Sequence, residues 1–172
     1  MLDTDTYKKI YDLLDSANPV PYDCGILCDS ICCSDATFDD DDSYIYLFPG
    51  EKEYLEHAGS TMPITEQRRD EHDIPLSWGE YVYIGHCRGK DMCERCTRPI
   101  QCRTFPLQPY ISKSGQLEMV LCFTDTPYHC PFVDGSVGVS ADFREAALKA
   151  WEILIEDEAI RDLVVSDSRK RR

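Results

Sequence analysis

The sequence predicts an α+β domain with short antiparallel strands and with flanking N- and C-terminal helices. Three observations support this fold class: helical patterns of apolar residues near both ends, short strand-like runs between them, and two tight groups of cysteines. A chain of 172 residues suits one domain with a modest core. Because the apolar segments between the helices are short, a structural metal would add stability that such a core lacks. We therefore predict a single metal-stapled, cysteine-cluster domain over residues 1–165 and a basic, solvated C-terminal tail over residues 166–172.

An amphipathic first helix is predicted by apolar residues at helical spacing behind a capping residue. The expected N-cap is Asp5 or Thr6, and the run NPVP ends the helix because Pro19 and Pro21 cannot continue it. The residues that share its apolar face are Tyr7, Ile10, Tyr11 and Leu14.

Short strands are predicted through the middle of the chain. The runs SYIYLF and WGEYVYIGHC predict strands, and LQPYISKSGQLEMVLCF predicts a hairpin that turns at Ser114 and Gly115. Between the first two runs, EKEYLEHAG predicts a short helix that ends at Gly59, whereas the charged segment TEQRRDEHD predicts a surface loop. A last helix is capped by Ser140, and its apolar stripe consists of Phe143, Ala147, Ala150 and Leu154.

Charge and composition exclude some classes of protein and favour others. The formal net charge of −14 is the opposite of what a nucleic-acid-binding protein needs, since phosphate contacts require Lys and Arg. The N-terminus does not resemble a secretory signal, and no apolar run approaches the ~20 residues that span a bilayer. These features predict a cytoplasmic protein that binds neither nucleic acid nor membrane. In a reducing cytoplasm, ten cysteines indicate metal binding more than disulfides.

Eight of the ten cysteines form two groups. The first group lies in YDCGILCDSICCSD and comprises Cys24, Cys28, Cys32 and Cys33. The second group has the spacing C-x5-C-x2-C-x5-C and comprises Cys87, Cys93, Cys96 and Cys102. Of the remaining two, Cys122 lies in an apolar run and is predicted to pack in the core, while Cys130 lies in a loop where a ligand is expected.

The spacing of these thiols suits a soft metal ion. A C-x2-C turn places two sulfurs on one side of a metal at ~2.3 Å from a zinc ion, and a second pair completes a tetrahedron. Thiolates favour zinc or an iron–sulfur cluster of the 4Fe-4S type over magnesium or calcium. The spacing permits two separate four-thiolate sites, and it equally permits one site to which both groups contribute. His86 and His129 each precede a cysteine and are alternative ligands.

Two arginines flank Cys102 and are predicted to act on the bound metal from outside the ligand set. Four thiolates on one zinc ion carry a formal charge of −2. Arg98 and Arg103 are close enough in sequence to offset this charge, which makes them candidate cofactor-binding residues. The alternative is a surface ion pair with one of the many acidic residues.

The segment RPIQCRTFPL, residues 98–107, resembles the RP-x2-CR-x-FP signature of YkgJ-type cysteine-cluster proteins, which are described as zinc- or iron-chelating domains. The first cysteine group resembles the C-x2-C-x2-CC run of that family with one extra residue in each gap. The resemblance covers about residues 24–131, and the positions that match family cysteines further along are Cys87, Cys93, Cys102 and Cys130. Cys96 lies outside the family pattern, so its predicted ligand role rests on spacing.

The resemblance and the residue pattern together imply a metal-binding protein with a mainly structural or binding role. The looser first run is also similar to that of flagellin lysine N-methylases, which are longer proteins that carry an iron–sulfur cluster. An iron–sulfur enzyme related to protein lysine N-methylases is therefore the alternative, and whether the protein is an enzyme stays open. The metal ion is the expected ligand, and the sequence names no protein partner.

Overall fold

The structure, a computed structural model, describes residues 1–33, 44–87, 89, 94–122 and 128–171. Within these ranges the chain forms an α+β fold with small antiparallel sheets and with helices at both ends, which confirms the predicted fold class. The helices are α1 (Thr4–Asp15), α2 (Glu51–His57), α3 (Ile100–Thr104), α4 (Ala141–Leu154) and α5 (Glu158–Lys170). The strands are β1 (Tyr44–Leu47), β2 (Ile64–Arg68), β3 (Tyr81–His86), β4 (Leu107–Ile111) and β5 (Leu117–Leu121).

Helix α1 supplies one side of the main core. Its N-cap is Asp3 rather than Asp5 or Thr6, because the Asp3 carboxylate accepts a hydrogen bond from the Thr6 amide at 2.8 Å. The four apolar residues predicted to share a face are all buried in the core, which also contains side chains from the strands, α4 and α5. Burial of this face is the main force that holds a helix of this length in place.

The strands form two separate antiparallel sheets. The first has the order β1–β3–β2, and the second is the β4–β5 hairpin, which turns at Gly115 as predicted. The segment TEQR, which begins the predicted surface loop TEQRRDEHD, instead lies in β2, which pairs with β3 from Ile64 opposite Gly85 to Arg68 opposite Tyr81. An edge strand needs backbone pairing on one side only, so it can form without a clear apolar alternation.

The C-terminal residues continue the fold beyond α4. The Ser140 hydroxyl caps α4 as predicted, by accepting a hydrogen bond from the Phe143 amide at 3.2 Å. Residues 158–170, which include most of the predicted basic tail, form α5, whose N-cap is Asp157. The Ser168 side chain is buried and its hydroxyl accepts a hydrogen bond from the Ile111 amide of β4 at 2.9 Å. Arg169 and Lys170 thus lie in the last turn of α5, where their positive charges stabilise the negative end of the helix dipole.

No helix among the described residues is long and apolar enough to cross a membrane.

Gly50 provides a test of the packing between α2 and the N-terminus. It has a φ of +92°, and a Cβ atom there would lie 2.5 Å from the Leu2 carbonyl oxygen, which is backbone and cannot rotate away. We expect Gly50→Ala to lower the free energy of unfolding by about 2–3 kcal/mol, since it adds left-handed strain and a steric clash. Urea denaturation followed by circular dichroism measures this loss.

The matched control is Gly115→Ala in the β4–β5 turn. Gly115 has a similar φ of +83°, but a Cβ atom added to it would have no neighbouring atom within 4 Å among the described residues. Strain alone should then cost about 1 kcal/mol. Equal losses in the two variants would contradict the proposed clash with Leu2.

Candidate metal centre

The first cysteine group lies on two short 3₁₀ turns. These turns are Cys24–Leu27 and Ile31–Cys33, and the chain reverses between them through Asp29 and Ser30, whose φ angles are 53° and 55°. The Ser30 amide closes the reversal by donating a hydrogen bond to the Gly25 carbonyl at 2.9 Å. The reversal brings the Cys24–Cys28 turn beside the two adjacent cysteines, which sequence spacing alone left undetermined.

The second cysteine group is distributed over different elements. Cys87 directly follows β3, and Cys102 lies within α3. Cys96 lies on a 3₁₀ turn that precedes α3, and its side chain is exposed, with its sulfur 3.8 Å from a Glu94 carboxylate oxygen. Cys93 lies outside the described residues, so its predicted ligand role stays a prediction.

Seven cysteines from both groups and from the loop after β5 line two adjoining cavities. The first cavity has a volume of about 220 Å³, and the cysteines that line it are Cys24, Cys28, Cys32, Cys33 and Cys130. The second cavity has a volume of about 240 Å³, and the cysteines that line it are Cys24, Cys32, Cys33, Cys87 and Cys102. Three thiols are common to both cavities. Residues remote in sequence therefore meet in one thiol-rich region.

Arg98 is the one basic residue among the described residues that line the two thiol cavities. Its side chain lines both cavities, as does that of Phe105. The predicted position of Arg98 beside the thiols is thus consistent with the structure. Its charge would partly offset that of any thiolates there.

Arg103, the other predicted cofactor-binding residue, contacts α1 instead. Its guanidinium Nη2 donates to the Asp15 carboxylate at 2.5 Å and to the Tyr11 carbonyl at 3.3 Å, and Nη1 donates to the Arg95 carbonyl at 2.9 Å. The guanidinium also lies over the Tyr11 ring at 4.9 Å. Arg103 is not among the described residues that line either cavity, so its observed contacts hold the turn before α3 against α1.

Glu51 is a further residue that positions Cys102, and sequence reasoning missed it. This carboxylate is fully buried at the start of α2 and accepts hydrogen bonds from the Tyr11 hydroxyl at 3.0 Å and the Phe48 amide at 2.9 Å. It also accepts one from the Ile100 amide at 2.8 Å, which is the first amide of α3. Glu51 therefore fixes the start of the helix that carries Cys102.

The predicted histidine alternatives have other partners. The His86 ring is hydrogen-bonded to the Thr65 hydroxyl at 2.8 Å, between β3 and β2. The His129 ring lies beside the Asp134 carboxylate. Neither is among the described residues that line the two thiol cavities.

The two adjacent cysteines differ in their proton affinity. Their sulfur atoms are 4.0 Å apart, and the hydrogen bond from Cys32 lowers the pKa of Cys33 to about 6, with help from the charge of Arg98 and against the effect of burial. The same hydrogen bond, together with burial, raises the pKa of Cys32. Burial also raises the pKa of Cys24, with a further contribution from Asp23.

The donor set suits a soft metal, although the thiols are not gathered into a complete site. Among the residues that the structure describes, no three histidine, cysteine, aspartate or glutamate side chains are close enough to hold an ion together, so metal stapling is not shown. The distance of 4.0 Å between the Cys32 and Cys33 sulfurs is near the edge of a zinc–thiolate tetrahedron, ~3.8 Å for a bond length of ~2.3 Å. Thiolates are also the ligands that zinc and iron–sulfur clusters prefer.

A third cavity, about 360 Å³ in volume, adjoins the thiol region. It shares Ile45, Gln101, Phe105 and Tyr128 with the second thiol cavity and extends to Asp167 and Arg171 of the C-terminal segment. Cys122 lines this third cavity rather than the two thiol cavities.

Comparison with known proteins identifies no relative of this chain. No family model, no curated protein and no solved structure matches it.

Proposed function

We propose that the protein binds a thiophilic metal, zinc or an iron–sulfur cluster, in a centre to which both cysteine groups contribute. The observation that carries this proposal is the convergence of seven thiols on two adjoining cavities beside Arg98. Of the two arrangements that the sequence permits, this convergence favours the shared one. The resemblance to YkgJ-type cysteine-cluster proteins points to the same class of ligand.

The proposed role of the metal is mainly structural. Its ligands would come from the turns before β1, the end of β3, helix α3 and the loop after β5. An ion bound to all of them would connect both halves of the chain. Binding requires some of these thiols to move closer together, so the metal would tighten a region that lies beside the main core rather than within it. A reducing cytoplasm is the compartment that keeps such thiols available.

Metal analysis of the purified chain together with a Cys102→Ser variant tests this proposal. The protein is purified without oxygen and examined by elemental analysis, acid-labile sulfide assay and absorption spectroscopy. We expect zinc, or iron with sulfide, in the unmodified protein. Cys102→Ser should lower both metal content and thermal stability, by roughly 10 °C if the lost metal contributes about 4 kcal/mol.

Cys96→Ser is the matched control, since its thiol is exposed and is not among the described residues that line the cavities. It should retain both metal and melting temperature. Metal-free protein that is fully stable, or a Cys102→Ser variant with unchanged metal content, would contradict the proposal.

An iron–sulfur enzyme is the second candidate function, and the third cavity favours it. An enzyme of this class needs room for a substrate or cofactor beside the cluster, and the cavity of about 360 Å³ adjoins the thiol region. A relation to protein lysine N-methylases would make S-adenosylmethionine the first ligand to examine. Iron and sulfide in the purified protein, together with calorimetric binding of that ligand, would support the enzyme over a structural module.

A further inference from the structure

We infer that the thiol region binds two metal ions side by side, and that at least one cysteine of the first group bridges them. This inference rests on the proposed metal-binding function and adds its stoichiometry and connectivity. Its basis is the arrangement of the cavities, because Cys24, Cys32 and Cys33 line both of them. Cys28 and Cys130 line only the first cavity, whereas Cys87 and Cys102 line only the second.

This distribution suits two ions better than one. A single tetrahedral ion takes four thiolates and would leave three of the seven described thiols unused beside it. Two tetrahedral ions need eight ligand positions, so the seven thiols fill them when one sulfur occupies a position on both ions. The candidates for the bridge are the three cysteines that line both cavities.

The vicinal pair is well placed for this role. The sulfurs of Cys32 and Cys33 are 4.0 Å apart, a separation that two ligands of one ion can adopt with little movement. Both cysteines also line the second cavity, so the sulfur of one of them can bind the first ion and the second ion at the same time. Cys28 and Cys102 each line one cavity, so neither is a candidate for the bridge.

Charge also favours a bridge. Two separate four-thiolate sites with divalent ions would carry a formal charge of about −4, whereas seven thiolates on two divalent ions carry about −3. The chain already has a formal net charge of −14, and Arg98 is the one arginine among the described residues that lines both cavities. One guanidinium placed between two ions acts on both of them. A bridged pair of ions therefore places less uncompensated negative charge around Arg98 than two separate four-thiolate sites would.

The experiment uses the full chain, reduced and stripped of metal, and then loaded with ¹¹³Cd²⁺ as a thiophilic probe. We expect two ions per chain by native mass spectrometry. We also expect two ¹¹³Cd resonances with scalar coupling between them, since a shared sulfur transmits such coupling. One ion per chain would overturn the two-metal inference, and two resonances without coupling would overturn the bridge; either result leaves metal binding intact. The binding of no ion at all would instead overturn the proposed function. A single iron–sulfur cluster in the protein as purified would also overturn the inference.

Substitution of cysteines that line only one cavity, or both, tests the bridge independently of the scalar coupling. Cys28→Ser should lose the ion of the first cavity, and Cys102→Ser should lose that of the second, so each variant should retain one resonance. At least one of Cys24→Ser, Cys32→Ser and Cys33→Ser, the variants of the cysteines that line both cavities, should weaken the binding of both ions by at least tenfold in Kd. Cys96→Ser should keep both ions and their coupling. If none of Cys24→Ser, Cys32→Ser and Cys33→Ser weakens the binding of more than one ion, the bridge is excluded.

Discussion

Replacing Arg103 with alanine is expected to lower the free energy of unfolding by about 3–4 kcal/mol. The guanidinium is almost fully buried and donates hydrogen bonds to the carbonyls of Tyr11, Arg95 and Cys96 as well as to Asp15. Alanine would leave these carbonyls without their donor and create a cavity beside the Tyr11 ring. The Asp15 carboxylate is half exposed, so water can replace its partner and the ion pair itself contributes little.

Denaturation by urea, with and without bound metal, measures this effect. Arg68→Ala is the control, because Arg68 forms an ion pair with Asp70 in which both side chains are exposed. Its removal should change the free energy of unfolding by less than about 1 kcal/mol. Arg103→Lys should recover only part of the loss, since an ammonium group cannot reach every carbonyl that the planar guanidinium contacts. If the metal-free Arg103→Ala variant were as stable as Arg68→Ala, these contacts would not hold the turn before α3.

Replacing Glu51 with alanine is expected to lower the free energy of unfolding by about 3–5 kcal/mol. The change leaves a buried phenol and two buried amides without their acceptor. It should also weaken metal binding, because the Ile100 amide is no longer fixed and α3 carries Cys102. Glu51→Gln is the milder variant, expected to lose about 1–3 kcal/mol, since it retains one acceptor oxygen and places an NH₂ group against the remaining donors.

The Glu51 carboxyl also gives stability a dependence on pH. Burial raises its pKa above the ordinary value of 4.5, and the amides of Ile100 and Phe48 oppose part of this rise. A raised pKa means that the folded state binds the proton more tightly than the unfolded state does. The contribution of Glu51 is therefore fully present below pH 4.5 and is lost as the pH rises through the folded-state pKa.

The comparison of the unmodified protein with Glu51→Gln isolates this effect, because glutamine does not titrate. Their difference in free energy of unfolding should shrink as the pH rises above 4.5. A difference that stays constant, or that grows with pH, would contradict the raised pKa. Glu145→Gln serves as an exposed control, since Glu145 pairs with Lys149 on the surface of α4 and should not reproduce the trend.

Strong local signals in the sequence predicted several elements of the fold. Ser140 caps α4, and the run around Gly115 forms the hairpin, because capping and turn residues act over only a few positions. Two of the elements that were missed, β2 and α5, have signals that depend on their neighbours. Strand β2 is stabilised by pairing with β3, and α5 is stabilised by packing, with Ile160 and Val164 in the core. Neither segment has a pattern that is distinctive before its partner is known.

The candidate site shows the same division between local and long-range information. The spacing of the cysteines predicted thiol clustering, but it could not tell that Cys87 and Cys102 face the first group while Cys96 is exposed. Arg98 and Arg103 are equivalent in charge and close in sequence, yet they contact different surroundings, the thiol cavities in one case and α1 in the other. Glu51 lies in the charged run EKEY, where nothing distinguishes it from its exposed neighbour Glu53.

The thiol cavities are assembled from segments that are distant along the chain, and this has a consequence for biogenesis. Cys24, Cys87 and Cys130 meet only after the strands and the helices between them have found their partners. Contacts between remote segments form late in folding, so the thiols remain accessible while the chain is still being completed. During that interval an oxidant can join cysteines that the native arrangement keeps apart. The yield of correctly assembled protein should thus depend on the redox conditions and metal supply during synthesis, and less on the stability of the finished domain.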